Sequence, residues 1–323
     1  TATCPTYQLL GDERDSPRGR IYLIQQMLEG QPVTRTTQQH LDRCLTCRSC
    51  ESTCPSGVQY SHLLDIGREL VEQRVPRPLP ERYRRAVLNQ LLPRRGLFAA
   101  ALLLGRKFKP FLPPSLQRSI PDAAPLKSFA GAAHSRKLLL LDGCVQPALA
   151  PDINVAARKL FAAVGIEALA LPAAGCCGAV SHHLHYQQDG RAQMRRLIDA
   201  CWPQIEAGIE AIVMTASGCG SSLKDYGFLL RDDSAYAARA RRFAALVRDP
   251  LEVLEPHAAL LREQLRPSAA GKLVFQSPCS LQHGQKLSGR VEALLSALGL
   301  ELAPVADGHM CCGSAAPHSM LQP

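Results

Sequence analysis

Residues 44–55 read C-L-T-C-R-S-C-E-S-T-C-P, with four cysteines inside eleven positions and a proline directly after the last. Few chemistries need thiolates packed this densely. Three cysteines separated by two residues each let a tight loop wrap one face of an iron–sulfur cubane. The fourth, braked by Pro55, is thrown outward toward a second one. Zinc knuckles also use cysteines, but they place paired C-x2-C elements far apart in sequence. The run is therefore read as cluster-binding, with electron transfer as the expected function.

A second Cys-Pro opens the chain, where T-A-T-C-P at 1–5 parallels E-S-T-C-P at 51–55. In two-cluster ferredoxins the fourth cysteine of each run ligates the other run's cluster. Cys4 is thus expected to complete a [4Fe–4S] cluster held by Cys44, Cys47 and Cys50. Cys54 is expected to serve a second [4Fe–4S] cluster whose other ligands lie upstream of Thr1, so the sequence reads as truncated at its N-terminus.

The 323 residues are 46% hydrophobic and only 5% aromatic, and thirteen of them are cysteines. Adjacent pairs such as Cys176-Cys177 and Cys311-Cys312 make poor disulfide framework and good ligands, which implies a reducing compartment. No stretch reaches the roughly eighteen apolar residues of a membrane span. The nearest, Leu97 to Leu104, reads as a buried helix or as a patch lying in a membrane interface. Net charge is +9, and between Arg77 and Lys109 nine Lys/Arg face the single Glu81. That stretch is a solvated basic face, or it attracts an anionic membrane or an acidic partner. No recognition motif points to nucleic acid.

Residues 1–75 form the expected cluster module, with helices opening at Pro17 and at His62. Arg18 and Arg20 read as surface residues, with an offset to cluster charge as the alternative. Residues 76–135 form a Pro-rich, basic linker with one or two helices. From Arg136 the pattern becomes strand–helix alternation: strands at 137–141, 166–171 and 211–215, and helices at 152–164 and 187–201. Cys144, Cys176, Cys177 and Cys219 fall just after strand ends, where α/β sheets place ligands.

The unit then recurs. Cys144 to Cys176 is 32 positions and Cys279 to Cys311 is also 32, with a constant offset of 135. Spacing this regular marks an internal duplication, giving one unit at 136–266 and a second, incomplete one at 267–323. The expected fold class is α+β / α/β: a mostly helical two-[4Fe–4S] ferredoxin-like module followed by two repeated α/β cysteine-rich domains. Cys144, Cys176, Cys177 and Cys219, and then Cys279, Cys311 and Cys312, are candidate ligands of a further cluster or of zinc. His182, His183 and His185 read as polar residues at the start of a helix rather than as ligands, and His309 likewise.

The C…C-C-G units resemble the cysteine-rich CCG domain of the heterodisulfide reductases and their relatives. Their full motif closes with C-x-x-C; here Ala216 stands where the first cysteine of that pair would be. The combination of modules resembles the iron–sulfur subunits of flavin-dependent hydroxyacid and glycerol-phosphate dehydrogenases. C-P-T-Y-Q-L-L-G-D-E-R-D-S-P-R-G-R-I-Y-L-I at 4–24, C-L-T-C-R-S-C-E-S-T-C-P-S-G-V-Q-Y at 44–60 and C-C-G-S-A at 311–315 resemble the glycolate oxidase iron–sulfur subunit family. That resemblance implies an electron-transfer chain working with FAD-containing subunits that oxidise glycolate, a quinone or membrane acceptor, and a cytoplasmic protein peripherally bound to the inner membrane. The alternatives are the equivalent subunit of a lactate or glycerol-3-phosphate dehydrogenase, a CCG-type thiol–disulfide reductase, and a zinc-structured interaction module.

Overall fold

Strand β1 (Arg136–Leu141) shows how the sheet is built. Leu138 to Leu141 are all buried, as in parallel strands covered on both faces. Side chains alternate along a strand. Leu139 and Leu141 accordingly join the core made with helix Gln187–Glu206, while Leu138 and Leu140 join the core made with helix Asp152–Ala163.

β1 pairs in parallel with β2 (Ile166–Ala170) on one side and β3 (Ile212–Met214) on the other, and β3 pairs with β4 (Val247–Arg248). The order β2-β1-β3-β4 reverses direction between β1 and β3, the switch point beside which open α/β sheets bind ligands. β5 (Leu273–Val274) and β6 (Leu302–Ala303) repeat the β1–β2 pairing in miniature, with helix Arg290–Ala297 as crossover. The computed structural model describes residues 2–122, 129, 131, 133–265, 271–315 and 317–322.

The N-terminal residues are helical. In order come α1 (Pro5–Leu10), α2 (Pro17–Leu28), α3 (Arg35–Asp42), α4 (Ser49–Ser52) and α5 (Tyr60–Arg74). Ser16 caps α2 by accepting the Gly19 amide, and Thr34 with Thr37 forms a capping box on α3. A Cβ on Gly19 would fall 2.0 Å from the Glu13 carbonyl oxygen, so that turn demands glycine. Ile24, Met27, Leu41, Tyr60, Leu64 and Val71 form the core between α2, α3 and α5.

Two expectations change here. The stretch read as a linker carries two thirteen-residue helices, α6 (Leu79–Leu91) and α7 (Arg95–Lys107), and the shorter helix Pro114–Ser119. Its basic character is not simply a solvated face, because Arg77 and Arg85 are buried in ion pairs with Asp42 and Glu81. The Leu97–Leu104 run does lie on a helix, but α7 has no buried residue. Periodicity reveals an apolar face and says nothing of whether the rest of the chain covers it. Part of the stretch around residues 123–132 lies outside the described residues.

Candidate functional site

Cys4, Cys44, Cys47 and Cys50 line one cavity, walled by α1, α2 and the start of α5. Each cysteine is placed by local chain chemistry. Cys4 stands immediately before α1, whose first residue is Pro5, preset for a helix start. The Cys44–Cys50 loop curls because Thr46 and Arg48 take left-handed backbone, with φ of 52° and 61°. Such non-glycine residues cost on the order of 1–2 kcal/mol each and cluster at functional loops.

Burial pushes the Cys50 thiol up to about 12, with the neighbouring Cys44 adding to the shift. A protein that keeps such thiols together without a cation gains nothing from their charge, and a bound metal inverts that logic. The Tyr60 hydroxyl lines the same cavity, is shielded from water and has the Cys44 sulfur as its neighbour. Four convergent sulfurs with a buried hydroxyl beside one of them fit a [4Fe–4S] cubane.

Arg20 completes the cavity and overturns the reading of this side chain as a surface residue. It is 1% exposed and donates to the His40 carbonyl at 2.7 Å, to Thr6 Oγ1 at 3.1 Å and to Asp15 at 3.3 Å. Its Nη1 lies 4.0 Å from the sulfur of Cys4. The alternative role, a cation that offsets thiolate charge, is the one its position allows.

Cys54 stays outside this cavity and is half-exposed. The backbone amides of Val58, Ser56 and Gly57 reach its sulfur and hold its thiol below the ordinary range. It is thus set apart from the other four cysteines, in surroundings that favour its thiolate more than an ordinary site would.

In the first α/β unit the cysteine sulfurs form a continuous series of contacts: Cys144 with Cys176, Cys176 with Cys177, and Cys177 with Cys219. They come from the segments that follow β1, β2 and β3, at the switch point. Gly178 is required twice over in this turn. Its φ is +82°, and a Cβ there would meet the Gly190 carbonyl oxygen at 2.6 Å. Tyr226 Oη donates to the Cys177 carbonyl at 2.6 Å and braces the pair from behind. Ala216, at the position of the missing motif cysteine, packs against the apolar core. Cys201 is different: it is buried among hydrophobic residues of helix Gln187–Glu206, and burial alone pushes its thiol up to about 12.

In the second unit Cys279 and Cys311 touch, while Cys312 is exposed. Cys311 also touches Cys47 of the N-terminal loop. Contacts from Cys279 and then Cys47 hold the Cys311 thiol below its ordinary range. Ser52 Oγ meets His283 Nδ1 at 2.7 Å beside this junction, and His283 Nε2 approaches the His309 carbonyl at 3.4 Å.

A family model described as a 4Fe-4S dicluster domain matches residues 1–59, and one described as a cysteine-rich domain matches residues 138–224 and again 273–323. The glycolate oxidase iron–sulfur subunit of Escherichia coli K12 is 51% identical over all of this chain and 79% of its own length. The chain belongs to the glycolate oxidase iron–sulfur subunit family. The probable glycolate oxidase iron–sulfur subunit of Bacillus subtilis 168 is 27% identical over 99% of this chain and 78% of its own length. Lactate utilization protein A of Geobacillus thermodenitrificans is 27% identical over 55% of this chain and 72% of its own length.

Within this family member, the cysteines were legible because ligand spacing is local. Tyr60 and Tyr226 were not, and Arg20 only as an alternative to a surface residue, because each reaches its cysteine through packing of distant segments. The contact of Cys311 with Cys47 also lacks a sequence signal. The ion pair of Arg48 with Asp225 at 2.7 Å, which links the cluster loop to the first α/β unit, lacks one too.

Proposed function

We propose that this chain is the iron–sulfur electron-transfer subunit of a glycolate oxidase complex. Cys4, Cys44, Cys47 and Cys50 would hold one [4Fe–4S] cluster, and Cys54 one ligand position of a second. Bound there, such clusters supply one-electron transfer. The chain's own residues supply the rest. The loop's left-handed turns aim three sulfurs inward, the α1 start brings the fourth, and Arg20 places a desolvated positive charge beside Cys4. Cys144, Cys176, Cys177 and Cys219 are proposed as a further cluster or metal site, and Cys279, Cys311 and Cys312 as its partial counterpart. The observation that carries the reading is the single cavity into which cysteines from both ends of the N-terminal segment converge.

In this reading glycolate is oxidised on an FAD-containing partner subunit, and a quinone is the final acceptor. Glycolate is preferred to lactate because the similarity to the glycolate oxidase subunit runs the whole chain, whereas that to the lactate utilization protein covers 55% of it. No helix among the described residues is long and apolar enough to cross a membrane. Peripheral contact with an anionic membrane is supported by α7 and the turn after it. There Leu103 is 63% and Phe111 85% exposed, and Arg94 and Lys107 lie at the two ends of the helix.

Iron and acid-labile sulfide per full-length chain test the cluster assignment, with low-temperature EPR of the reduced protein. About eight irons correspond to two cubanes, and more would place iron at the cysteine-rich sites as well. Cys47→Ser is expected to remove one cubane's worth, about four irons, and to stop electron delivery to quinone while substrate still reduces the flavin of the complex. Cys201→Ser is expected to leave iron unchanged. Wild-type protein without iron, or Cys47→Ser with full iron, would overturn the reading.

A further inference from the structure

Asp65 projects from α5, whereas His182 and His183 end the short helix Ala179–His183 that follows the Cys-Cys-Gly turn. The two segments are far apart in sequence, yet one carboxylate oxygen and two imidazole nitrogens lie within 4.8 Å of one another. The two rings stand edge to face, with centroids 5.8 Å apart and planes at 81°. Nδ1 of His183 is shielded from solvent and has no hydrogen-bond partner. Neither the Asp65 carboxylate nor the His182 ring is hydrogen-bonded to another described residue.

Buried polar atoms are normally paired, and leaving one unpaired costs on the order of 1–3 kcal/mol. One buried, unpartnered imidazole nitrogen, together with a second imidazole and a carboxylate that no described residue engages, is the arrangement a cation would satisfy at once. Two imidazoles and a carboxylate suit zinc and the other divalent first-row ions, in contrast to the all-thiolate sets elsewhere in the chain. Metal–ligand bonds of about 2.0–2.1 Å in a tetrahedron hold ligand atoms roughly 3.4 Å apart. Small side-chain rotations close that difference. Arg68 opposes a cation here, but its guanidinium is already committed to the carbonyl oxygens of Leu41 and Cys44, at 2.9 Å each.

We propose that Asp65, His182 and His183 bind a divalent transition-metal ion, with a fourth position left for water. The site clasps α5 to the helix behind the Cys176–Cys177 turn. It is separate from every cysteine set described above and does not depend on what those sets carry. The histidines expected from sequence to be polar residues at a helix start become ligands because α5 brings Asp65 to them.

The test is zinc titrated into the full-length, cluster-loaded protein, followed by zinc K-edge X-ray absorption and metal analysis. Expected are one zinc per chain with only nitrogen and oxygen neighbours, and a rise in the thermal midpoint on zinc binding. Asp65→Asn, isosteric and on the half-exposed side of α5, should weaken zinc at least tenfold and abolish that rise with iron content unchanged. His182→Ala should do the same. Zinc bound only through sulfur, or Asp65→Asn binding zinc as wild type does, would overturn the proposal.

Discussion

Arg20 sets a full positive charge where water cannot screen it, against Cys4 on one side and the fully buried Asp15 on the other. Asp15 is also reached by His40 at 3.0 Å and Arg43 at 3.1 Å, so the carboxylate sits in a cage of donors. Removing one partner of a buried pair typically costs on the order of 3–5 kcal/mol, because the other charge is stranded. The remaining partners of Asp15 place this case at the low end. Arg20→Met is expected to destabilise the cluster-loaded protein by about 3 kcal/mol, seen as a lower thermal midpoint and faster iron loss. Arg20→Lys should recover only part, since an ammonium cannot span His40, Thr6 and Asp15 together. A midpoint for Arg20→Met equal to that of wild type would remove the side chain from the account of the cavity.

Among the long helices, α7 stands apart because none of its residues is buried and several of its large apolar side chains face outward. Leu97, Leu103 and Leu104 are each at least half exposed, and Phe108 and Phe111 continue the surface beyond the helix end. Fully burying one such side chain is worth roughly 1.5–3 kcal/mol. Replacing two of them with charge should therefore cost at least tenfold in affinity for a lipid surface. Leu103→Glu with Phe111→Glu is expected to abolish co-sedimentation with anionic vesicles at moderate salt and to leave iron content unchanged. Undiminished binding would assign the lipid contact elsewhere. The same helix shows where sequence reading stops. β1 was legible because four consecutive leucines, bounded by Lys137 and Asp142 and followed by a helical pattern, read as a strand covered on both faces. The Cys-Cys-Gly turns were legible because their spacing repeats. For α7 the apolar run is equally plain, but whether it is covered depends on how distant segments pack, and no local pattern encodes that. Arg77 and Arg85 fail in the opposite direction: they count as surface charge until Asp42 is seen to gather them.

Asp42 also governs how the whole molecule is joined. It ends α3, takes Arg77 at 2.6 Å and Arg85 at 3.4 Å from the α6 side, and receives His185 from the first α/β unit at 3.3 Å. Burial drives the His185 imidazole from 6.5 down to about 4, against the pull of Asp42 and with Arg68 and Arg85 reinforcing it. The ring is therefore neutral at pH 7 and donates its proton to the carboxylate. A folded-state pKa below the unfolded one means that unfolding takes up a proton. Stability from this group is thus complete above about 6.5 and is lost as pH falls toward 4. Asp42 itself is held below its ordinary 3.8 by His185 and Arg77, which outweigh its own burial, so its contribution is lost only at still lower pH. Between pH 7 and pH 5 the His185 linkage amounts to about 2 kcal/mol, or roughly twentyfold in an opening equilibrium. His62, His183, His283 and His318 are shifted in the same direction, so acid sensitivity of the wild type alone would not isolate the joint. The comparison with His185→Gln does, because glutamine can still donate to Asp42 but cannot titrate. After correction for intrinsic exchange, amide protection in α3 and α6 of the cluster-loaded protein should fall roughly twentyfold more in wild type than in His185→Gln between pH 7 and pH 5. Equal falls would mean that the α/β unit and the N-terminal helices separate without His185, and that the joint rests instead on Arg48 with Asp225 and on Ser52 with His283.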